Sequence, residues 1–131
     1  MIRAQERDAL LLDELIEHLE YAYEDVSAFS EGEALALSRK DRNSAAKEIE
    51  QAQECAAHLS DSLLESVNDV PWKELRGLRN VIVHEYGEVD WDVLYDTVII
   101  DFPPVIDALK AYRENIERHD ASQHRSEGGA R

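Results

Sequence analysis

The sequence predicts an all-α protein, an up-and-down bundle of four to five helices. Three observations support this prediction. Apolar residues recur at steps of three and four through most of the 131 residues, which is the period of one helix face. Helix-terminating signals separate the periodic stretches, as at Ser30-Glu31-Gly32 and Asn68-Asp69-Val70-Pro71. The connections are short, and short connections place successive helices antiparallel to each other.

Two long helices are predicted in the first half of the chain. The first spans about Arg3 to Phe29, where an apolar stripe lies opposite a face of aspartate and glutamate. Glu33–Ser38 suit a short helical turn. The second long helix is predicted from about Arg39 to Ser66, because this segment is rich in Ala, Glu and Gln, which favour helix.

A third long helix is predicted from Pro71 to about Glu85. Proline is favoured at the first helical position, and an acidic residue such as Asp69 suits the positive end of a helix. The β-branched run Val81–Val83 favours a strand locally, but the helical period continues on both sides of it. The residues expected to face the core are Trp72, Leu75, Leu78 and Ile82.

Two glycines in this region have predicted roles. Gly77 lies in the helix interior, where glycine costs about 1 kcal/mol relative to alanine. We therefore expect a close backbone contact at Gly77. Gly87 is predicted to end the element.

The last predicted helix begins after Asp90, which suits an N-cap. Its apolar stripe passes through Pro103-Pro104 without a slip. Because these prolines remove two backbone donors, they should kink the helix near Ile99–Ile100. The sequence is divided into a helical-bundle domain, residues 1–118, and a polar tail, residues 119–131, that is expected to be disordered.

The formal net charge of −15 bounds the function. Proteins that bind nucleic acid along its backbone are usually basic, so this chain should not coat nucleic acid non-specifically. Any RNA contact must come from a local cluster of basic residues. Strong acidity also suits a protein that docks on a basic partner, or one from a salty cytoplasm. The basic cluster of the first half is a solvated surface or a guide for RNA, and consists of Arg39, Lys40, Arg42 and Lys47.

Other features of composition suggest a cytoplasmic location. No apolar run approaches the roughly 20 residues of a membrane span, and the N-terminus lacks the apolar core of a signal peptide, so export is not expected. Cys55 is the only cysteine, which excludes an internal disulfide and suits a reducing compartment. Its alanine-rich surroundings favour a packing role over a catalytic thiol. No metal-ligand spacing or phosphate-binding glycine loop appears, and no cofactor is expected.

Arg79–Tyr86 is the stretch in which the residues suit catalysis. Arginine carries a permanent planar charge that suits a phosphate, and histidine can give and take a proton near neutral pH. On a helix Asn80 and His84 share a face, whereas Arg79 lies roughly 140° from His84. One helix therefore cannot aim both Arg79 and His84 at one phosphate.

A two-fold dimer with these helices side by side would resolve the divergence. Its cleft would hold two copies of His84 and Arg79, with Arg76 and Lys73 nearby. That set suffices for metal-independent RNA cleavage, in which His84 takes the proton of the ribose 2′-hydroxyl and Arg79 stabilises the developing charge. In the alternative interpretation, Arg79 pairs with an acid and His84 only caps the helix.

The segment Pro71–Tyr86, with its R-x-x-x-x-H-x-Y arrangement inside P-W-x-E-x-x-G-L-R-N, closely resembles the signature of the HepT-like branch of the HEPN superfamily. The resemblance continues through Val89-Asp90 and Asp101–Pro104. It extends more loosely to Arg3–Phe29 and Arg42–Ser60.

The resemblance implies an all-α dimer with its active site at the dimer interface. It also implies a ribonuclease toxin of a type VII toxin–antitoxin pair, whose partner is a minimal nucleotidyltransferase antitoxin that adds AMP to the motif tyrosine. Carried over residue by residue, Arg79 and His84 are the catalytic pair, Asn80 is a supporting residue and Tyr86 is the modified position. Without the resemblance, the sequence favours a tyrosine that packs beneath the site. The expected substrate is tRNA or mRNA.

Two other interpretations stay open at this point. The chain could be a non-catalytic helical adaptor that binds and regulates a nucleotidyltransferase, which would suit its acidity. It could also be a plain helical interaction module, in which Arg79 and His84 have no special importance.

Overall fold

The computed structural model describes residues 3–129, with side chains as far as residue 122. Its regular elements are α-helices, joined by one 3₁₀ turn at Tyr86–Glu88 and one π-helical turn at Thr97–Asp101. No strand occurs in the described residues, which confirms the predicted all-α class. The α-helices are α1 (Ala4–Ser27), α2 (Gly32–Leu37), α3 (Arg39–Ala57), α4 (Asp61–Ser66), α5 (Trp72–His84), α6 (Trp91–Asp96) and α7 (Phe102–Gly129).

Contacts between side chains show the up-and-down order of the long helices. The end of α1 meets the start of α3, where Ser44 Oγ lies 2.6 Å from Asp25 Oδ2. Helix α7 runs back along α1, with Arg113 Nε 2.8 Å from Asp13 Oδ1. Helix α5 runs antiparallel to α3, since Tyr86, just after the end of α5, contacts Asn43 near the start of α3, while Trp72 near the start of α5 lines a cavity with the end of α3. The predicted up-and-down bundle is therefore confirmed.

The apolar stripes of these helices meet in one core. Its side chains are completely buried at the centre and come from α1, α2, α3, α6, the π-helical turn and α7. This burial of apolar surface is the main stabilisation of the bundle. The largest fully buried side chains are Leu12, Leu15, Leu19, Leu35, Ile49, Leu94 and Leu109.

The single helix predicted for Arg39–Ser66 is wrong, because α3 ends at Ala57 and α4 starts at Asp61. Ser60 caps α4, and its Oγ accepts a hydrogen bond from the backbone N–H of Leu63 at 3.3 Å. The buried carboxylate of Asp8 accepts hydrogen bonds from the backbone N–H of Ser60 at 3.0 Å and from its hydroxyl at 2.5 Å. Side chains that bond the backbone in this way compete with a continuous helix.

Helix α5 agrees closely with its predicted span, with Pro71 at the N-cap position rather than inside the helix. Of the residues expected to face the core, Leu75 and Ile82 are buried, while Trp72 and Leu78 are half-buried against it. The helix ends at His84, before Gly87.

Within one chain no close contact occurs at Gly77, because a Cβ built there would meet nothing within 4 Å. The close approach occurs instead at Gly32, where α2 crosses α6. A Cβ on Gly32 would lie 2.5 Å from the backbone oxygen of Trp91 and 2.6 Å from Cα of Asp92. Gly77 therefore has no packing reason within its own chain.

Asp90 is the N-cap of α6, as predicted, and its Oδ1 accepts hydrogen bonds from the backbone N–H groups of Asp92 and Val93. The disruption predicted near Ile99–Ile100 takes the form of the π-helical turn. Pro103-Pro104 cannot donate to the carbonyls one turn back, so the helix changes register just before them.

Helix α7 continues to Gly129. The predicted disordered tail, residues 119–131, lies partly outside the described residues and stays a prediction. Extending an existing helix avoids the cost of nucleation, so polar residues can follow it. The domain boundary at residue 118 stays a prediction. Within the described residues, no helix has the length and apolarity needed to cross a membrane.

Candidate functional site

Arg79 lies on the side of α5 that faces α3. Its Nη2 is 3.3 Å from Glu54 Oε1, and its Nη1 donates to Asn80 Oδ1 at 3.3 Å. The Arg79 side chain is 25% exposed and that of Glu54 is 49% exposed. An ion pair at this exposure contributes less than about 1 kcal/mol. A phosphate can therefore displace Glu54 at small cost.

Glu54 is a site residue that reasoning from the sequence missed. Its other oxygen, Oε2, lies 3.9 Å from Nε2 of His58, one turn along α3. The carboxylate thus stands between a guanidinium and an imidazole. Helical period places Glu54 on a polar face of α3, but nothing local indicates that this face meets α5.

His84 is the last residue of α5, and it is exposed. It lies about 140° around the helix from Arg79. Arg79 and His84 are therefore separated within one chain, which agrees with the separation predicted from helical geometry.

The exposed face of α5 carries His84 together with Asn80, Gly77 and Lys73. These residues follow one another at steps of four, three and four, which puts them in one row. The open space beside Gly77 lies in the middle of this row. We call the row of these four residues the outer face of α5.

Tyr86 follows α5 in the 3₁₀ turn and is half-buried. Its ring packs edge-on against Trp91, with centroids 5.6 Å apart and planes at 78°. Its hydroxyl donates a hydrogen bond to Asn43 Oδ1 at 2.5 Å. Asn43, a second residue missed from the sequence, therefore brings the first turns of α3 beside the Arg79–Tyr86 segment.

The basic residues differ in their ion pairing. Ion pairs with acids are formed by Arg3, just before α1, and by Lys110, Arg113 and Arg118 on α7. Arg7 on α1 forms none within the described part of the chain. On α3 and α5, Arg79 alone of the described basic residues forms an ion pair. The basic residues of these two helices with no ion pair in the described structure are Arg39, Lys40, Arg42, Lys47, Lys73 and Arg76.

This arrangement offers a proton carrier, a displaceable arginine and unpaired positive charge on two neighbouring helices, α3 and α5, of an acidic protein. These are groups that suit a phosphodiester. Among the residues described, no three His, Cys, Asp or Glu side chains are grouped so as to hold a metal ion. Cys55 is buried, and burial, followed by the nearby Glu14, raises the pKa of its thiol to about 11. This agrees with the predicted packing role.

Comparison with known proteins gives a consistent match. The family described as Ribonuclease HepT-like matches residues 12–112. A protein of Methanocaldococcus jannaschii named Putative RNase is 35% identical over 52 residues, which are 40% of this chain and 48% of that protein. A Putative RNase of Caldanaerobacter subterraneus is 28% identical over 64 residues, 49% of this chain and 57% of that protein.

A second Methanocaldococcus jannaschii protein named Putative RNase is 24% identical over 82 residues, which are 63% of this chain and 68% of that protein. The matched part of the chain spans about half the length of the first two relatives. No solved structure gives a significant match.

Proposed function

Because the chain belongs to the ribonuclease HepT-like family, we propose that it is an endoribonuclease that uses Arg79 and His84 without a metal ion. The observation that carries the proposal is the position of this pair. Arg79 holds only a half-exposed acid partner, and His84 is open to solvent. The proposed substrate is cellular RNA, tRNA or mRNA.

The proposed active unit is a homodimer. Arg79 and His84 point to different sides of α5, so one chain offers an incomplete site. Crossing two copies of the outer face of α5 at Gly77 would bring both copies of His84 toward one cleft, with Lys73 and Asn80 at its edges. Arg79 starts on the side of α5 that faces α3, and its long side chain would reach around α5 to this cleft only after leaving Glu54. The absence of a side chain at Gly77 supports this crossing, because small residues allow two helices to approach closely. A two-fold axis also makes such a contact self-complementary.

In the proposed reaction, neutral His84 takes the proton of a ribose 2′-hydroxyl, and that oxygen attacks the adjacent phosphorus. The bond from phosphorus to the 5′-oxygen of the next nucleotide breaks, and the second, protonated copy of His84 gives that oxygen a proton. A 2′,3′-cyclic phosphate and a 5′-hydroxyl result. Arg79, released from Glu54, stabilises the charge on the phosphoryl oxygens in the transition state.

The unpaired basic residues support RNA binding by a protein of charge −15. Each lysine or arginine that neutralises a phosphate releases counterions and strengthens binding. An ion pair with an acidic side chain would have to be broken first. Among the described lysines and arginines of α3 and α5, only Arg79 would have to break an ion pair before it binds a phosphate.

The second part of the proposal is that a covalent modification of Tyr86 inhibits the ribonuclease. We propose that a minimal nucleotidyltransferase antitoxin transfers AMP from ATP to the hydroxyl of Tyr86 and releases pyrophosphate, as part of a toxin–antitoxin pair in the cytoplasm. The transfer would replace the proton that Tyr86 donates to Asn43. It would also add bulk and negative charge two residues from His84, where both oppose an incoming RNA phosphate.

The ribonuclease proposal is tested by incubating purified protein with tRNA and mRNA in the presence of a chelator. We expect cleavage by the wild type and a loss of at least about a hundredfold in His84→Ala and Arg79→Ala, the range for a general acid–base or a charge-stabilising group. Lys110→Ala is the matched control, because Lys110 pairs with Glu20 on the far side of the bundle. Inert wild-type protein, or a His84→Ala variant that cleaves equally well, would refute the proposal.

The modification is tested by intact mass after incubation with the nucleotidyltransferase and ATP. The wild type should gain the mass of AMP and lose cleavage activity, and Tyr86→Phe should gain none. AMP on the Tyr86→Phe protein would assign the modification to another residue.

A non-catalytic adaptor is the alternative function, and the Arg79–Glu54 ion pair favours it. In that case the chain would bind a nucleotidyltransferase, and the neutralised Arg79 would never meet a phosphate. An adaptor would change the activity of the bound nucleotidyltransferase while showing no RNA cleavage of its own.

A further inference from the structure

A surface cavity of about 320 Å³ lies where the end of α3, the start of α4 and the start of α5 meet. Its wall combines an apolar side, Leu64 and part of the Trp72 indole, with the polar side chains of Gln53, Asp61 and Arg76. A volume of this size is at the lower end of the range for small-ligand sites. The cavity is separate from the outer face of α5, and the proposed reaction leaves it unused.

Gln53 is the unusual residue of this cavity. Its side chain is 7% exposed, and its carbonyl oxygen Oε1 is buried without a hydrogen-bond partner in the described structure. A buried acceptor without a partner costs free energy, and native proteins seldom leave one unexplained. Turning the amide over would exchange Oε1 and Nε2 and bring the carbonyl oxygen toward the cavity, where a donor on a bound ligand would satisfy it.

The other polar groups define the ligand further. Asp61 is exposed in the first turn of α4 and offers carboxylate oxygens, which accept hydrogen bonds. Arg76 is exposed and carries a positive charge with no ion pair in the described residues. The cavity thus presents acceptors at one side and a cation at the other. Such a site suits a ligand with amino groups at one end and negative charge at the other.

The indole of Trp72 adds an apolar surface for a flat ring. Its Nε1 donates to the backbone oxygen of Val67 at 3.0 Å, which fixes the orientation of the ring. Proteins that bind single-stranded RNA stack bases on aromatic side chains and read their edges by hydrogen bonds. Arg76 lies one turn before Arg79 on α5, so a nucleotide in the cavity would be next to the phosphate that Arg79 contacts.

We propose that this cavity is a base-recognition subsite for one nucleotide of single-stranded RNA, adjacent to the cleaved bond. This assignment rests on the proposed ribonuclease function. The base lies against Trp72, its amino group donates to Gln53 and Asp61, and its phosphate contacts Arg76. The exocyclic amino group of adenine, guanine or cytosine can donate one hydrogen to Gln53 and the other to Asp61, whereas the N3–H of uracil offers a single donor and its O4 only accepts. The subsite therefore takes the three amino-bearing bases in preference to uracil.

The test measures binding of short oligo(A), oligo(C) and oligo(U) to the His84→Ala protein by fluorescence anisotropy, so that cleavage does not interfere. We expect oligo(A) and oligo(C) to bind about tenfold more tightly than oligo(U). This difference corresponds to about 1.4 kcal/mol of binding free energy. Arg76→Ala should weaken binding of all three. Gln53→Met, which keeps the length of the side chain, should remove most of the preference.

Gln53 is buried, so Gln53→Met could fail to fold. Asp61→Asn is therefore a second test: Asp61 is exposed, and its replacement should reduce the preference for oligo(A) and oligo(C) over oligo(U) in a folded protein. Lys110→Ala is the control that should change nothing. Equal binding of oligo(U), or a preference that survives both Gln53→Met and Asp61→Asn, overturns the subsite. Wild-type protein that cleaves RNA without base preference overturns the subsite and leaves the ribonuclease proposal intact. Wild-type protein that neither cleaves nor binds RNA overturns both.

Discussion

Replacing Gly77 by alanine tests the proposed dimer, because the added methyl group should stabilise the single chain and weaken the contact between two chains. A Cβ at Gly77 meets no atom within 4 Å, and the residue lies inside α5. Alanine is favoured over glycine in a helix interior by about 1 kcal/mol. Within one chain, Gly77→Ala should therefore raise the free energy of unfolding by about 1 kcal/mol.

In a dimer that crosses at Gly77 the same methyl group is unfavourable. It would enter the contact twice, once from each subunit, and overpacking typically costs about 1–3 kcal/mol per site. The dimer dissociation constant should rise by at least about tenfold, which corresponds to about 1.4 kcal/mol. RNA cleavage should fall with it, since the proposed site needs both subunits.

The assays are urea denaturation at a protein concentration where the chain is monomeric, and sedimentation equilibrium for the dissociation constant. Gly32→Ala is the contrasting control. Its Cβ would lie 2.5 Å from the backbone oxygen of Trp91, so it should lower the free energy of unfolding by about 2 kcal/mol or more. If Gly77→Ala stabilises the chain and leaves both the dissociation constant and cleavage unchanged, pairing through the outer face of α5 is refuted.

Three further predictions concern other parts of the molecule. Asp8→Ala should lower the free energy of unfolding in urea by about 2 kcal/mol, because two hydrogen-bond donors of Ser60 lose their partner; an unchanged midpoint would mean that water replaces the carboxylate. Glu54→Gln should strengthen RNA binding severalfold in anisotropy measurements, because Arg79 no longer has to leave a carboxylate; weaker binding would instead make Glu54 a support for Arg79. Cys55 should react with a thiol reagent far more slowly at pH 8 in the folded protein than in urea, and faster only as the pH approaches its pKa of about 11; rapid reaction of the folded protein at pH 8 would contradict the burial of this thiol.

Much of the fold could be predicted because helices depend on local pattern. The apolar period placed α1 and α5 within a few residues of their observed bounds, and Asp90 was predicted as an N-cap from residue type and position alone. The break between α3 and α4 could not be predicted in this way. It depends on Asp8, whose carboxylate reaches Ser60 from a helix 52 residues away in sequence.

In the candidate site, too, some residues could be predicted from the sequence and others could not. Arg79, His84 and Tyr86 stand out in the sequence because their types and spacing suit one chemistry and one family signature, and helical rotation alone separates Arg79 from His84. Their surroundings come from other helices. Glu54 is held against Arg79, and Asn43 against Tyr86, only by the packing of α3 on α5 and the turn after it.

The sequence by itself therefore determined the all-α class, the order of the long helices and the residues that suit catalysis, because these follow from interactions between residues a few positions apart. Only the tertiary structure decided which polar faces meet, which glycine is crowded and which acid holds Arg79. Those contacts join residues that are distant in sequence, and their partners are selected by the packing of the whole core rather than by any local pattern.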